Sequence, residues 1–278
     1  MTIKIKFKYY LKIGLASLLV MLLGSGCSSK LSPNVRQQQA DHFALVGGLV
    51  KQKIQTDNFL LTTYQRFNHT NNNKKLVVYI EGDGMAWVSR DQLSTNPTPV
   101  RPIALELASL DKSTNVLYIA RPCQYLWPKS TVNCSSKYWS SKRGSAEVIV
   151  AINQVISKIK EREDVSSIKL IGYSGGGGIA AIITAGRDDV NKLITVSGNL
   201  NYQLFTKIHK LTPMMGSIDP ITIAKQIIST PQIHYVGGMD KIVPEKIARS
   251  FSKDVRVIQG TTHDNWSEKW SMILASSY

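Results

Sequence analysis

The chain has 278 residues, is 43% hydrophobic and carries a formal net charge of +15. Such a length can bury one large core, and a single domain of about 230–250 residues is the expectation it sets. No dense basic run interleaved with aromatic residues accompanies the charge, so it reads as a solvated surface and not as a nucleic-acid-binding strip.

In chain order, the first predicted element is a leader. Lys4, Lys6, Lys8 and Lys12 form a positive region without an acid, and residues 13–23 (IGLASLLVMLL) follow as an apolar run of 11. That run is too short to span a bilayer as a helix, and small residues succeed it, so 1–26 reads as a secretory signal peptide. Its loss takes the formal charge to +11. The end of the leader, LLGSGC, resembles a bacterial lipoprotein signal, although Gly24 stands where leucine is commonest. The resemblance implies lipidation of Cys27, a membrane anchor, and a place on the periplasmic side of the envelope, at the outer membrane in preference to the inner. Cleavage as an ordinary signal peptide, with Cys27 incidental, is the alternative. Residues 27–40 are polar and pattern-free after the cysteine, as a tether would be, and 41–278 form the domain.

Within the domain, apolar runs at 60–67, 76–80, 116–120, 168–171, 193–196, 232–236 and 255–258 read as strands. Helical spacing runs over 145–159, with Val148, Ile149, Ile152, Val155, Ile156 and Ile159 on one face. Residues 179–185, 221–228 and 245–251 complete the alternation. Continuous apolar strands joined by helices predict an α/β fold, a mostly parallel central sheet covered on both faces. Right-handed crossovers then line up the loops that follow the strands along one rim, where open α/β sheets place their sites. Cys123 and Cys134 remain after export, and in an oxidising compartment such a pair is expected to be bridged. Neither has metal-ligand spacing to another Cys or His, so no metal site is expected.

Three residues on that rim suit acyl-transfer chemistry. Gly172-Tyr173-Ser174-Gly175-Gly176 fits G-x-S-x-G between a strand and a helix, the turn that presents a nucleophilic serine. A serine hydroxyl needs a base, and the base an orienting carboxylate. Asp240 follows the strand at 232–236, and His263 follows the strand at 255–258. Singly, Asp240 could be a turn residue and His263-Asp264 a capping pair. Asp264 is a rival acid, but adjacent side chains rarely meet in the required geometry. His42, His69, His209 and His234 are poorer bases by position.

The segments EGDG (81–84), GYSGG (172–176), GGMDKIVP (237–244) and THDNW (262–266), in that order, resemble the α/β-hydrolase superfamily over about residues 58–270. The wording IEGDGMAW, ARPCQY and LIGYSGGGG further resembles exported bacterial α/β-hydrolase-like proteins. The resemblance implies an α/β-hydrolase fold and serine-dependent hydrolysis of carboxylic esters through an acyl-enzyme, with Ser174, Asp240 and His263 as the triad. It also implies an oxyanion hole formed by the N–H groups of Asp83 and Gly175, with Glu81 where the family usually has histidine. A carboxylate at Glu81 or Asp83 would oppose a developing oxyanion unless it points away. Thioesterase or peptidase activity uses the same residues, and a catalytically weak, tethering form of the fold is the alternative function.

A dinucleotide reading competes for the same glycines, because Gly175, Gly177 and Ala180 satisfy G-x-G-x-x-A. That fold needs an acid after the next strand, where this chain has TVSGN (195–199), so no nucleotide cofactor is expected. The expected partners are a small-molecule or lipid ester and, through the anchor, a membrane; the oligomeric state stays open. The segment 121–144, with Tyr125, Trp127, Tyr138 and Trp139, either overhangs the site or packs as a surface loop.

Overall fold

The computed structural model describes residues 32–70, 73–126 and 133–275. The expected leader, Cys27 and Trp127 lie outside the described residues. From residue 33 onward the chain forms one unit. It opens with helix α1 (Pro33–Val46), and here the expected tether is corrected, because 33–40 is helical. Proline is preorganised for a first turn and glutamine is a good helix former. The buried face consists of only Ala40, Ala44 and the stem of Arg36, too few apolar residues to show as a period.

Strands β1 (Val50–Gln55), β2 (Leu60–Arg66) and β3 (Lys75–Ile80) follow, then α2 (Ile103–Leu110) and β4 (Val116–Ile119). Helix α3 (Ala146–Arg162), β5 (Ser167–Tyr173), α4 (Gly175–Ala185), β6 (Val190–Val196) and α5 (Tyr202–His209) come next. The chain ends with β7 (Gln232–Gly237), α6 (Glu245–Phe251), β8 (Val255–Ile258) and α7 (Ser267–Ala275). The eight strands form one sheet in the order β1-β2-β4-β3-β5-β6-β7-β8. Strand β2 pairs antiparallel with β1 and β4, and every other neighbouring pair is parallel. The carboxyl ends of β3 to β8 therefore share one rim.

Side-chain alternation on the central strands feeds two cores. Leu76, Val78 and Ile80 of β3 pack with Val148, Ile152, Val155 and Ile156 of α3 and with Ile179 of α4. Val77 and Tyr79, pointing the other way, pack with α1, α2 and α7, and Trp270 of α7 and Trp266 just before it are fully buried there. Each such side chain contributes roughly 1.5–3 kcal/mol of transfer free energy, so the central strands cannot slip in register without losing both cores.

Residues 221–228 depart from expectation: a single 3-10 turn (Pro220–Ile223) is followed by turns and not by a helix. The run is rich in β-branched residues, which favour helix weakly, and Ile223 and Ile227 are buried while Ile228 is 80% exposed.

Candidate active site

Ser174 sits between β5 and α4 with φ 50° and ψ −121°, a left-handed backbone that a non-glycine residue adopts at a cost of order 1–3 kcal/mol. Its N–H donates to Val196 O (3.0 Å), and its carbonyl accepts from Asn199 N (2.9 Å) and Gly177 N (3.0 Å), so the end of β6 holds the strained residue in place. Two glycines make the turn possible. A Cβ at Gly172 would lie 2.4 Å from Gly176 O, and one at Gly176 would lie 2.4 Å from both Ile80 O and Glu81 O.

The three residues singled out by position meet here. His263 Nε2 is 3.0 Å from Ser174 Oγ, and His263 Nδ1 is 2.8 Å from Asp240 Oδ2. Asp240 Oδ2 also accepts from Ser197 Oγ (2.7 Å), and Oδ1 accepts from the N–H groups of Ile242 (2.9 Å) and Val243 (2.8 Å). Burial alone would raise this carboxyl. Hydrogen bonds from His263, Ser197 and Val243 outweigh that and hold it below the ordinary carboxylate range. An ionised carboxylate accepts only, so Nδ1 carries the ring proton and Nε2 is left to accept from the serine hydroxyl. Ser197, part of the TVSGN stretch, is a site residue that the sequence did not reveal.

The loop bearing His263 is fixed by its neighbours. Trp266 Nε1 donates to His263 O (2.9 Å), and Thr262 N donates to Asn265 Oδ1 (2.6 Å). Asp264, the rival acid, accepts from Tyr173 Oη at 2.6 Å.

The loop after β3 adds two N–H groups. Neither Asp83 N nor Gly175 N meets an acceptor among the described residues, and Gly175 opens a helix, where N–H groups lack intrahelical partners. Glu81 points into the core, away from the serine. Its Oε1 accepts from Gly82 N (2.8 Å) and Ala104 N (3.4 Å), and its Oε2 from Tyr118 Oη (3.0 Å). Burial pushes its pKa up to about 7 in spite of these bonds. Asp83 does not point away. A Cβ at Gly175 would lie 2.1 Å from Asp83 Oδ1, so this carboxylate rests on the backbone next to the serine. Arg121 Nη1 (3.2 Å) and Arg143 Nη1 (3.0 Å) pair with it.

Both arginines belong to the segment 121–144. Cys123 and Cys134 are joined in a disulfide, as expected, with Cα atoms 5.5 Å apart. Tyr125, Tyr138 and Trp139 are buried, and Trp139 Nε1 donates to Ser94 O at 3.0 Å, so these aromatics pack inward. Ser140, Ser141 and Arg143 of this segment line a groove of about 480 Å³, together with Trp87, Leu93, Phe205, Leu211 and Met214. A cavity of about 580 Å³ at the opposite rim, around Lys75, Asp111 and Ser167, touches none of these residues. Among the described residues no cluster of three His, Cys, Asp or Glu could hold a metal ion.

Comparison with known proteins accords with this geometry. No curated protein matches the sequence. Solved structures share the fold at low identity. Est1E from Butyrivibrio proteoclasticus is 14% identical with a TM-score of 0.57, over 81% of this chain and 98% of that one. The Pyrococcus furiosus esterase Pf2001 is 15% identical with a TM-score of 0.57, over 82% and 90%. An alpha-beta serine hydrolase homologue from Coxiella burnetii is 14% identical with a TM-score of 0.55, over 82% and 94%. The architecture is the α/β-hydrolase fold. The family described as serine hydrolase (FSH1) matches residues 96–264, a stretch that includes Ser174, Asp240 and His263. That match covers more than half of the chain, which therefore belongs to the FSH1 serine hydrolase family.

Proposed function

We propose that this serine hydrolase cleaves carboxylic esters through an acyl-enzyme formed on Ser174. The observation that carries the reading is the hydrogen-bonded line Ser174–His263–Asp240 at the head of a strained turn. In the first step Ser174 Oγ attacks the ester carbonyl while His263 Nε2 takes the hydroxyl proton. Asp240 stabilises the resulting imidazolium through Nδ1–H. The carbonyl oxygen, now negative, accepts from the N–H groups of Asp83 and Gly175. Collapse of the tetrahedral adduct expels the alcohol, to which His263 returns the proton. Water then repeats the sequence on the acyl-serine, giving the acid and free Ser174.

Esters are favoured as the substrate class because a solved structure that shares the fold, Pf2001, carries the name esterase. For location we propose export and anchoring through Cys27. Helix α1 starts at Pro33, so only residues 28–32 would separate the anchor from the domain. At about 3.5 Å per residue they reach roughly 18 Å, which would hold the enzyme close to the lipid headgroups.

A competing reading, a hydrolase fold kept as a tethering module with weak chemistry, draws on Asp83, whose carboxylate rests beside the proposed oxyanion hole. One experiment separates the two. Folded protein treated with a fluorophosphonate should gain one adduct, located at Ser174 and absent from Ser174→Ala. Folded wild type that takes up no label refutes the acyl-enzyme mechanism.

A further inference from the structure

Asp83 is the only carboxylate that pairs with Arg121 or Arg143 among the described residues. Two guanidinium groups on one carboxylate leave a positive charge without a carboxylate partner among the described residues. The residues are nearly enclosed, with side chains 4% exposed for Arg121, 13% for Arg143 and 19% for Asp83. Arg121 spends its second Nη group on Arg143 O, and its Nε finds no acceptor. The Nε and Nη2 groups of Arg143 form the side-on edge that binds carboxylates and phosphates in pairs. Here that edge faces Met214 Sδ, at 3.1 and 3.0 Å. A thioether is a weak acceptor, poorly matched to a largely buried cation. The edge opens on the 480 Å³ groove, a volume typical of small-ligand sites. The lining of this groove holds Arg90 and Arg143 and no acidic residue.

From this arrangement we infer that Arg143 recognises an anionic group on the substrate. The enzyme takes esters that carry a hydrocarbon chain together with a phosphate or carboxylate a few bonds from the scissile carbonyl. The chain lies along Trp87, Leu93, Phe205 and Leu211, and the anion displaces Met214 from the Nε–Nη2 edge. Asp83, whose carboxylate rests on the Gly175 backbone, holds Nη1 of the same guanidinium, and this contact ties the anion's place to the serine turn. This inference builds on the ester chemistry proposed for Ser174.

Three substrates of equal chain length test it, each below its critical micelle concentration: 1-dodecanoylglycerol, its 3-phosphate, and O-dodecanoyl-lactate. The wild type should show a kcat/KM about tenfold or more higher for at least one anionic ester than for the neutral one, and the better of the two identifies the group. In Arg143→Met that ratio should fall to near one, and Arg143→Lys should keep part of it. Met214→Glu, which offers the edge an internal carboxylate, should also erase the preference and serves if Arg143→Met does not fold. A neutral ester cleaved as well as both anionic ones, or a preference that survives Arg143→Met or Met214→Glu, overturns the inference. Binding of dodecyl phosphate to Ser174→Ala, followed by calorimetry, separates this outcome from a failure of the ester mechanism. Binding that depends on Arg143 without fluorophosphonate labelling of the wild type would retain the anion site and refute the chemistry.

Discussion

Replacing Glu81 with glutamine should change the pH dependence of stability by an amount that its surroundings fix. Glu81 is 1% exposed, and burial holds its pKa near 7 against an ordinary 4.5. Between those values the folded protein keeps a proton that the unfolded chain releases, so stability is lost as pH rises from about 4.5 through 7. At 1.36 kcal/mol per pKa unit, the loss amounts to about 3 kcal/mol by pH 8. Glutamine has the same shape and does not titrate. Its oxygen can accept from Gly82 N, and its amide can donate to the Tyr118 hydroxyl. Urea unfolding of both proteins at pH 4.5, 6, 7 and 8, followed by tryptophan fluorescence, gives the difference directly, and the titrations common to both cancel in it. The stability of the glutamine variant minus that of wild type should grow by about 3 kcal/mol across the series. Parallel stability curves would refute the argument that burial raises this carboxyl.

Ser174→Ala should lower kcat by roughly 10⁴–10⁶ with an unchanged unfolding midpoint; residual activity within tenfold of wild type would exclude Ser174 as the nucleophile. Asp240→Asn should lower kcat by about 10⁴, because the amide can leave the His263 ring proton on the wrong nitrogen; single-turnover kinetics on an activated ester would detect it. Cys123 and Cys134 close a loop with a sequence separation of 11, so replacing both with serine should remove about 3 kcal/mol on the chain-entropy account, read from urea midpoints. Gly176→Ala places a methyl group 2.4 Å from two carbonyl oxygens, of Ile80 and Glu81. It should destabilise the protein by about 3 kcal/mol or more, and an unchanged Tm would contradict that.

Much of this architecture could be read directly from the residues. Strands 76–80, 168–171 and 193–196 are apolar on both faces because both faces are covered, and Ser174, Asp240 and His263 follow strand ends in chain order. Helix α2 escapes notice for a different reason. Seven of the eight residues of α2 (IALELASL) are buried, so no polar side marks a period. Strand β1 (VKQKIQ) is an edge whose exposed Lys53 and half-buried Lys51, paired with Asp41, hide the strand pattern. The site residues left unseen are those whose role depends on distant partners. Arg121 and Arg143 meet Asp83 across 38 and 60 residues of chain, and Ser197 meets Asp240 across 43. Glu81 looked like a threat to the oxyanion hole from the sequence. Its orientation, set by Gly82, Ala104 and Tyr118, turns it into a brace for that loop.

The close approach of main chain to main chain at Gly172 and Gly176 divides the protein into parts that can and cannot vary. At Gly172 and Gly176 the nearest atoms are all main chain, so no side chain stands there whose enlargement or trimming could shift Ser174. The path of the backbone through the turn is thus insulated from the side-chain changes by which enzymes drift toward new substrates. On the substrate reading proposed above, diversification would come from the side chains around residues 87–93, 140–141 and 205–214, which line the groove and are remote in sequence from the turn. A chain of this design could change what it cleaves many times over while keeping how it cleaves fixed.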